Sequence, residues 1–141
     1  MSRKMKYTYG IEVNTVFLEG EHNPKYRVII DGKPYCEKVF EKIVTINETI
    51  EVGETRTASY TATGLYSTTD QFSMYISTEE NPTYTDEETC SHLGIVTIPL
   101  SEPDGTIREI IGSYTFGGTE LSLIATEVKS GKIFKAKFDL L

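Results

Sequence analysis

The chain has 141 residues, 38% hydrophobic, 11% aromatic and 25% charged, the profile of one folded domain rather than of a disordered or collagen-like polymer. A formal charge of −7 would repel phosphate backbones and anionic headgroups, so nucleic acid and membrane are not expected partners. Cys36 and Cys90 are the only cysteines, too few for a disulfide framework though one bridge stays open, and a reducing setting is expected.

The opening Met1-Ser2-Arg3-Lys4-Met5-Lys6 is basic but runs into polar Tyr7-Thr8-Tyr9-Gly10 without an apolar core, and no stretch reaches transmembrane length, so a cytoplasmic protein is expected. Val28-Ile29-Ile30 runs into Asp31-Gly32 and Tyr35 resumes beyond it, which predicts a hairpin near 26–35. Val39, Phe40 and Ile43 then recur at helical spacing among Glu37, Lys38, Glu41 and Lys42, so a short amphipathic helix is expected there. From Ile46 onward the pattern is that of strands. Phe72, Met74 and Ile76 alternate with Ser73 and Tyr75; Val96, Ile98 and Leu100 do likewise; Ile110 to Phe116 and Leu121 to Ala125 follow; Phe134, Ala136 and Phe138 oppose Ile133, Lys135 and Lys137,. Thr63-Gly64, Asn81-Pro82, Pro103-Asp104-Gly105, Gly117-Gly118 and Ser130-Gly131-Lys132 fall between these runs as turns,. Short strands at such even spacing predict an all-β sandwich or barrel.

Catalytic chemistry is not legible. The chain has no Gly-rich phosphate loop and no Gly-x-Ser-x-Gly elbow,. Cys90-x-His92 with a distant Cys36 lacks the paired spacing of a zinc site,. Glu79-Glu80 and Asp86-Glu87-Glu88 do not follow a calcium-loop pattern and read as solvated loop acids,. Asn47-Glu48-Thr49 has the form of a glycosylation sequon, which has meaning only in an exported chain. No catalytic residue and no metal ligand is assigned, and an enzyme is not expected.

Four segments in order carry a resemblance. Tyr9-Gly10-Ile11-Glu12-Val13 looks like the Leu-Gly-Ile-Glu-Thr strand that opens the substrate-binding domain of DnaK-type heat-shock chaperones. Ile46-Asn47-Glu48-Thr49-Ile50, followed by the Ser/Thr-rich Thr55 to Thr61, resembles the Lys-Asn-Thr-Thr-Ile segment and its strand. Phe72 to Glu79 is similar to the Val-Thr-Ile-x-Val-x-Gln-Gly-Glu strand. Leu93-Gly94-Ile95-Val96, Gly118 to Ala125 and Ser130-Gly131-Lys132 look like the closing strands and their Thr/Ser-Gly-Lys turn. The extra residues from Asn14 to Lys38, with Cys36 to Lys42 after the Asp31-Gly32 turn, resemble the atypical type-twelve branch rather than standard DnaK.

The resemblance implies a module of a stress-response chaperone that binds extended apolar polypeptide segments in a channel across the sandwich, by main-chain hydrogen bonds and one apolar pocket. Ile11, Val13, Phe72 and Met74 match pocket-lining positions, and Ala58 and Tyr60 match if the register of that strand holds; alternating apolar residues are equally candidates for plain core. Residues 1–8 would be the end of a linker or of a preceding ATPase domain, 9–141 the sandwich with an insertion at about 14–42, and the helical lid of the standard family would be absent. The fragment would need no cofactor, whereas the parent protein's ATPase domain would use ATP and magnesium and be a partner of this module. Two alternatives stand beside this reading: a docking or regulatory domain that has lost peptide capture, and a carbohydrate- or ligand-binding sandwich using Tyr60, Tyr66, Tyr75 and Tyr84.

Overall fold

The computed structural model describes all 141 residues, Met1–Leu141. Eleven strands run in chain order: β1 Ser2–Lys4, β2 Thr8–Val16, β3 Arg27–Ile30, β4 Lys33–Val44, β5 Thr49–Glu51, β6 Glu54–Thr61, β7 Thr69–Ser77, β8 Cys90–Pro99, β9 Glu109–Phe116, β10 Glu120–Glu127 and β11 Ile133–Asp139. A single 3₁₀ turn, Pro24–Tyr26, precedes β3. The strands make one five-stranded sheet ordered β3-β4-β2-β7-β8, one four-stranded sheet ordered β11-β10-β9-β6, and a two-stranded β1-β5 ribbon, every pairing antiparallel. The expected all-β sandwich is the fold observed.

Period-two alternation builds the core. Tyr9 and Ile11 from β2, Phe72, Met74 and Ile76 from β7, and Ile98 from β8 face Ile110, Tyr114 and Phe116 from β9, Leu121, Leu123 and Ala125 from β10, and Phe138 from β11, in one buried cluster. The two layers are pinched together on one side, where a Cβ on Gly94 of β8 would lie 3.0 Å from the Phe138 ring of β11. Residues 1–8, expected to be the end of a linker or of a preceding ATPase domain, pack against the sandwich: β1 pairs with β5, and Met5 joins the core cluster at 1% exposure.

The Asp31–Gly32 hairpin is present as expected. Ile30 pairs with Lys33, and positive φ at both turn residues, 50° and 75°, makes the mirror-image turn that suits the strand twist,. The helix expected around Val39–Ile43 does not form: these residues lie in the twelve-residue strand β4. The physical reason is two β-bulges. Against β2, the register slips by one residue between Thr15↔Cys36 and Val13↔Val39, at Lys38 with φ 58°, and again between Gly10↔Lys42 and Tyr9↔Val44. Each bulge inserts one unpaired residue, so the apolar residues of β4 do not serve one surface: Cys36 and Val39 pack with Phe17 and Tyr26, whereas Ile43 and Val44 pack on the main core, and the spacing of Val39, Phe40 and Ile43 only mimics a helix.

The strand β2 takes the second bulge at Gly10, where an added Cβ would lie 2.3 Å from Phe40 Cε1 and 2.4 Å from the Glu41 carbonyl oxygen. Gly10→Ala must therefore move both an aromatic ring and a paired backbone. It is expected to cost about 2 kcal/mol or more in urea-denaturation midpoint analysis, as overpacked cores do, whereas Gly118→Ala, with nothing near its Cβ, should cost well under that.

Candidate functional site

The sheets part on the side away from Gly94 and Phe138. Strand β6 ends its sheet, pairing only with β9, so its other edge carries unpaired backbone groups. Between that edge and β2 lies a cleft of about 760 Å³. Its walls are the outgoing half of β2 with Tyr35 and Glu41 of β4, and, opposite, Ser59 to Thr61 of β6, Thr63 and Ser67 of the β6–β7 loop, Thr69 to Phe72 of β7, and Ile107.

Of the expected pocket residues, the structure brings Ile11, Val13, Tyr60 and Phe72 to this cleft. Ile11 and Phe72 contribute from the buried core, whereas Val13 and Tyr60 are half-buried and pack against it. Tyr60 and Phe72 meet edge to face at 5.6 Å between centroids. Met74 and Ala58 are not on the cleft wall. Met74 pairs opposite Ile11 and is fully buried in the core. Ala58 is half-buried on the same face of β6 as Tyr60, two residues further from the cleft; the register of β6 is therefore the one that turns Ala58 and Tyr60 inward and Thr57 and Ser59 outward.

The Tyr60 hydroxyl lies 2.9 Å from that of Tyr114. Burial pushes Tyr60 up to about 12, against the lowering effect of Tyr114, and burial also raises Tyr114, with the charge and hydrogen bond of Tyr60 adding to it. Both phenols are neutral donors at physiological pH. Asp70 is half-buried on the opposite wall; burial raises its carboxyl, with the Gln71 and Thr63 backbone amides and the Arg108 charge acting in the other direction. No Lys, Arg or His lines the cleft, whereas Glu41 and Asp70 do. Glu12 also borders it, but its carboxylate accepts a hydrogen bond from the Thr85 hydroxyl at 2.6 Å.

One cleft wall rests on a residue that the motif search passed over. Arg108 is 1% exposed. Its guanidinium donates to the Ser101 carbonyl at 3.1 Å and to the Gly64 carbonyl and the Ser67 hydroxyl at 3.3 Å each, while Nε finds no protein partner. Ser67 in turn donates to the Thr63 carbonyl at 2.6 Å. The β6–β7 loop is thus held from beneath by a buried cation. Near it, buried Glu127 accepts from the Ser101 amide and hydroxyl and from Ser130; burial pushes its carboxyl up, and these hydrogen bonds together with the Arg108 charge outweigh it and hold it below its ordinary value.

The tyrosines weighed as a ligand platform do not gather into one. Tyr84 stacks on Tyr26, Tyr75 packs edge-on against His92, Tyr60 belongs to the cleft and Tyr66 stands exposed. No group of three or more His, Cys, Asp or Glu side chains is arranged to hold a metal, and no helix is long and apolar enough to cross a membrane.

Fold and site thus define a β-sandwich domain with an interlayer cleft bordered by a free strand edge. Over 99% of its length the chain is similar to heat shock 70 kDa protein 12A of Homo sapiens and of Mus musculus, at 27% identity over 143 residues, and to heat shock 70 kDa protein 12B of Homo sapiens, at 26% over 149 residues. It is a homologue of one segment of these type-twelve, seventy-kilodalton heat-shock proteins and spans about a fifth of their length, 21–22%. No family model matches the chain.

Arg108→Lys keeps the charge but loses the planar fork that reaches three acceptors on two loops. It is expected to lower unfolding free energy by about 2 kcal/mol, and Arg108→Ala by more, in chemical denaturation followed by circular dichroism. The Thr63–Ser67 amides should lose hydrogen-exchange protection in both variants.

Proposed function

We propose that the cleft binds an extended polypeptide segment, and that the chain is the peptide-holding module of a chaperone of the seventy-kilodalton heat-shock kind. The observation that carries this is the free edge of β6 beside the cleft. A strand with unpaired N–H and C=O groups can accept an extended chain by main-chain hydrogen bonds, whatever its side chains. Ile11, Val13, Tyr60 and Phe72 offer apolar surface to alternate side chains, and Glu41 and Asp70, without a cationic neighbour on the wall, favour segments that mix apolar with basic residues,. Backbone pairing would supply affinity and the pocket selectivity. In this reading a separate ATPase domain of the parent protein, using ATP and magnesium, is the module's partner.

The second reading, a docking or regulatory domain without peptide capture, is favoured by one observation: a hydrogen bond crosses the cleft, from the Asn14 side-chain amide to the Thr63 hydroxyl at 3.2 Å, and the Leu65 backbone amide donates to the Asp31 carboxylate at 2.8 Å, tying the β3–β4 turn to the same loop.

Fluorescence anisotropy with a labelled extended peptide of alternating Leu and Lys decides between them. Saturable binding that weakens with added salt is expected. Val13→Asp should reduce affinity at least tenfold, a change of about 1.4 kcal/mol. Ile107→Asp, at a position 67% exposed where folding has little at stake, should reduce it severalfold. Absence of binding by the folded wild type up to about a millimolar, where a contact of only about −4 kcal/mol would register, selects the docking reading.

A further inference from the structure

Independently of the cleft, we infer that the outer edge of β3 docks a second copy of this chain: two β3 strands pair antiparallel about Ile29 and join their five-stranded sheets. Strand β3 pairs only with β4 and ends its sheet. In a hairpin with a two-residue turn, the residues flanking the turn bond each other, here Ile30 and Lys33, and alternation then makes Ile29 and Pro34 a pair without mutual hydrogen bonds,. Pro34, which has no N–H, thus sits where none is needed, and its carbonyl turns the other way to accept from the Phe17 amide at 3.2 Å. The N–H and C=O of Ile29 therefore point out of the sheet. The Ile29 side chain is 57% exposed, and Arg27 and Asp31, two residues to either side of it, are exposed as well.

The outer edges of β8 and β11 carry devices that discourage strand addition. Strand β8 is bulged against β7 and runs into Pro99, and β11 carries Lys135 and Lys137,. Strand β3 instead has charges of opposite sign at equal distances from an apolar centre. An antiparallel partner centred on Ile29 sets Ile29 opposite its own copy, Arg27 opposite the copy's Asp31, and Asp31 opposite the copy's Arg27. The two Ile29 residues exchange both main-chain hydrogen bonds, and each Asp31 N–H meets the Arg27 carbonyl across from it, the Arg27 N–H being already given to the Pro24 carbonyl. Arg27 has no ion-pair partner within the domain, and Asp31 uses one carboxylate oxygen on the Leu65 amide and keeps the other. A slip of two residues would set Ile29 against a charge, and parallel pairing would set like charges side by side. The spacing thus specifies one partner and one register. Two short strand edges bury less than the roughly 1,200 Å² of a stable interface, so the dimer is a weak, transient one.

Sedimentation velocity of the chain between about 10 μM and 1 mM should show a dimer that grows with concentration and recedes as salt rises. Arg27→Asp, which turns both ion pairs into repulsions, and Ile29→Lys should each weaken it on the order of tenfold. Both positions are exposed, so circular dichroism should find the fold unchanged. Ile29→Cys reads the register. Paired Cα atoms about 5.5 Å apart suit a disulfide, so oxidation with copper phenanthroline should cross-link this variant and not Ile133→Cys, 58% exposed on β11. A chain that stays monomeric throughout overturns the inference, as does a dimer that Arg27→Asp and Ile29→Lys leave intact or that cross-links equally through Ile133→Cys. A monomeric wild type that binds the labelled Leu/Lys peptide, and binds it less once Ile29→Lys is made, also overturns it and gives the edge to a foreign extended segment.

Discussion

Two twisted sheets cannot stay equally close along their whole width, and the uneven gap between them is the constraint from which the rest of this structure follows. Where β8 and β11 meet, the layer between them is thin enough that only glycine fits at position 94, under the Phe138 ring. On the far side the same sheets diverge, Tyr60 and Phe72 lie half or wholly under the surface, and the space between β2 and β6 is left unfilled. A sheet that ends there must end in an unpaired edge. The cleft and the free edge of β6 are thus two consequences of one arrangement rather than separate features.

Beside the open corner the inward-facing rows of β9 and β10 end in buried charged groups rather than apolar ones. Along β9 the inward face runs Phe116, Tyr114, Gly112, Ile110 and continues past the strand to Arg108; along β10 it runs Leu121, Leu123, Ala125, Glu127. Because Glu127 pairs opposite Ile110, the buried cation and the buried carboxylate come to neighbouring places. They satisfy their hydrogen-bonding groups mainly on loops, Arg108 on Ser101, Gly64 and Ser67, and Glu127 on Ser101 and Ser130. A buried charge is tolerated only when so engaged. The same requirement makes the loops beside the cleft rigid, since moving them would strand the guanidinium.

What the sequence discloses is set by how local each interaction is. The hairpin at 26–35 was legible because Asp31-Gly32 determines its own turn, and the strands from Phe72 onward were legible because alternation needs no partner to be read. The bulges of β4 were not. They answer to β2, from 21 to 35 residues earlier in the chain, and on its own the strand shows Val39, Phe40 and Ile43 in the spacing of a helix. The same limit divides the site residues. Resemblance carried Ile11, Val13, Tyr60 and Phe72 to the cleft, but alternation cannot distinguish the middle of a core row, where Met74 lies, from its open end. Arg108 and Glu127 did leave a signal, a charged residue in phase with an apolar row. Ile107 and the Asp31–Leu65 contact left none, because both depend on which loops the folded sheets bring together.

The stretch after Val13, which the resemblance implies is an insertion, is long, and its energetics explain how a sandwich tolerates it. Chain entropy penalises a long excursion only weakly, and the excursion largely supports itself: Phe17, Tyr26 and Cys36 form its core, and Tyr84, from the loop between β7 and β8, stacks against it. That loop also fills the edge of β4 that the short β3 leaves open, through an isolated bridge of Val39 with Tyr84 and hydrogen bonds from Phe40 to Thr83 and from Thr85 to Lys38. The base of the insertion is therefore as well satisfied as the sheet it grows from. Stability so concentrated at the base leaves the tip free to be held by a few exposed hydrogen bonds, and a segment of low local stability beside a rigid wall is where motion costs a fold least.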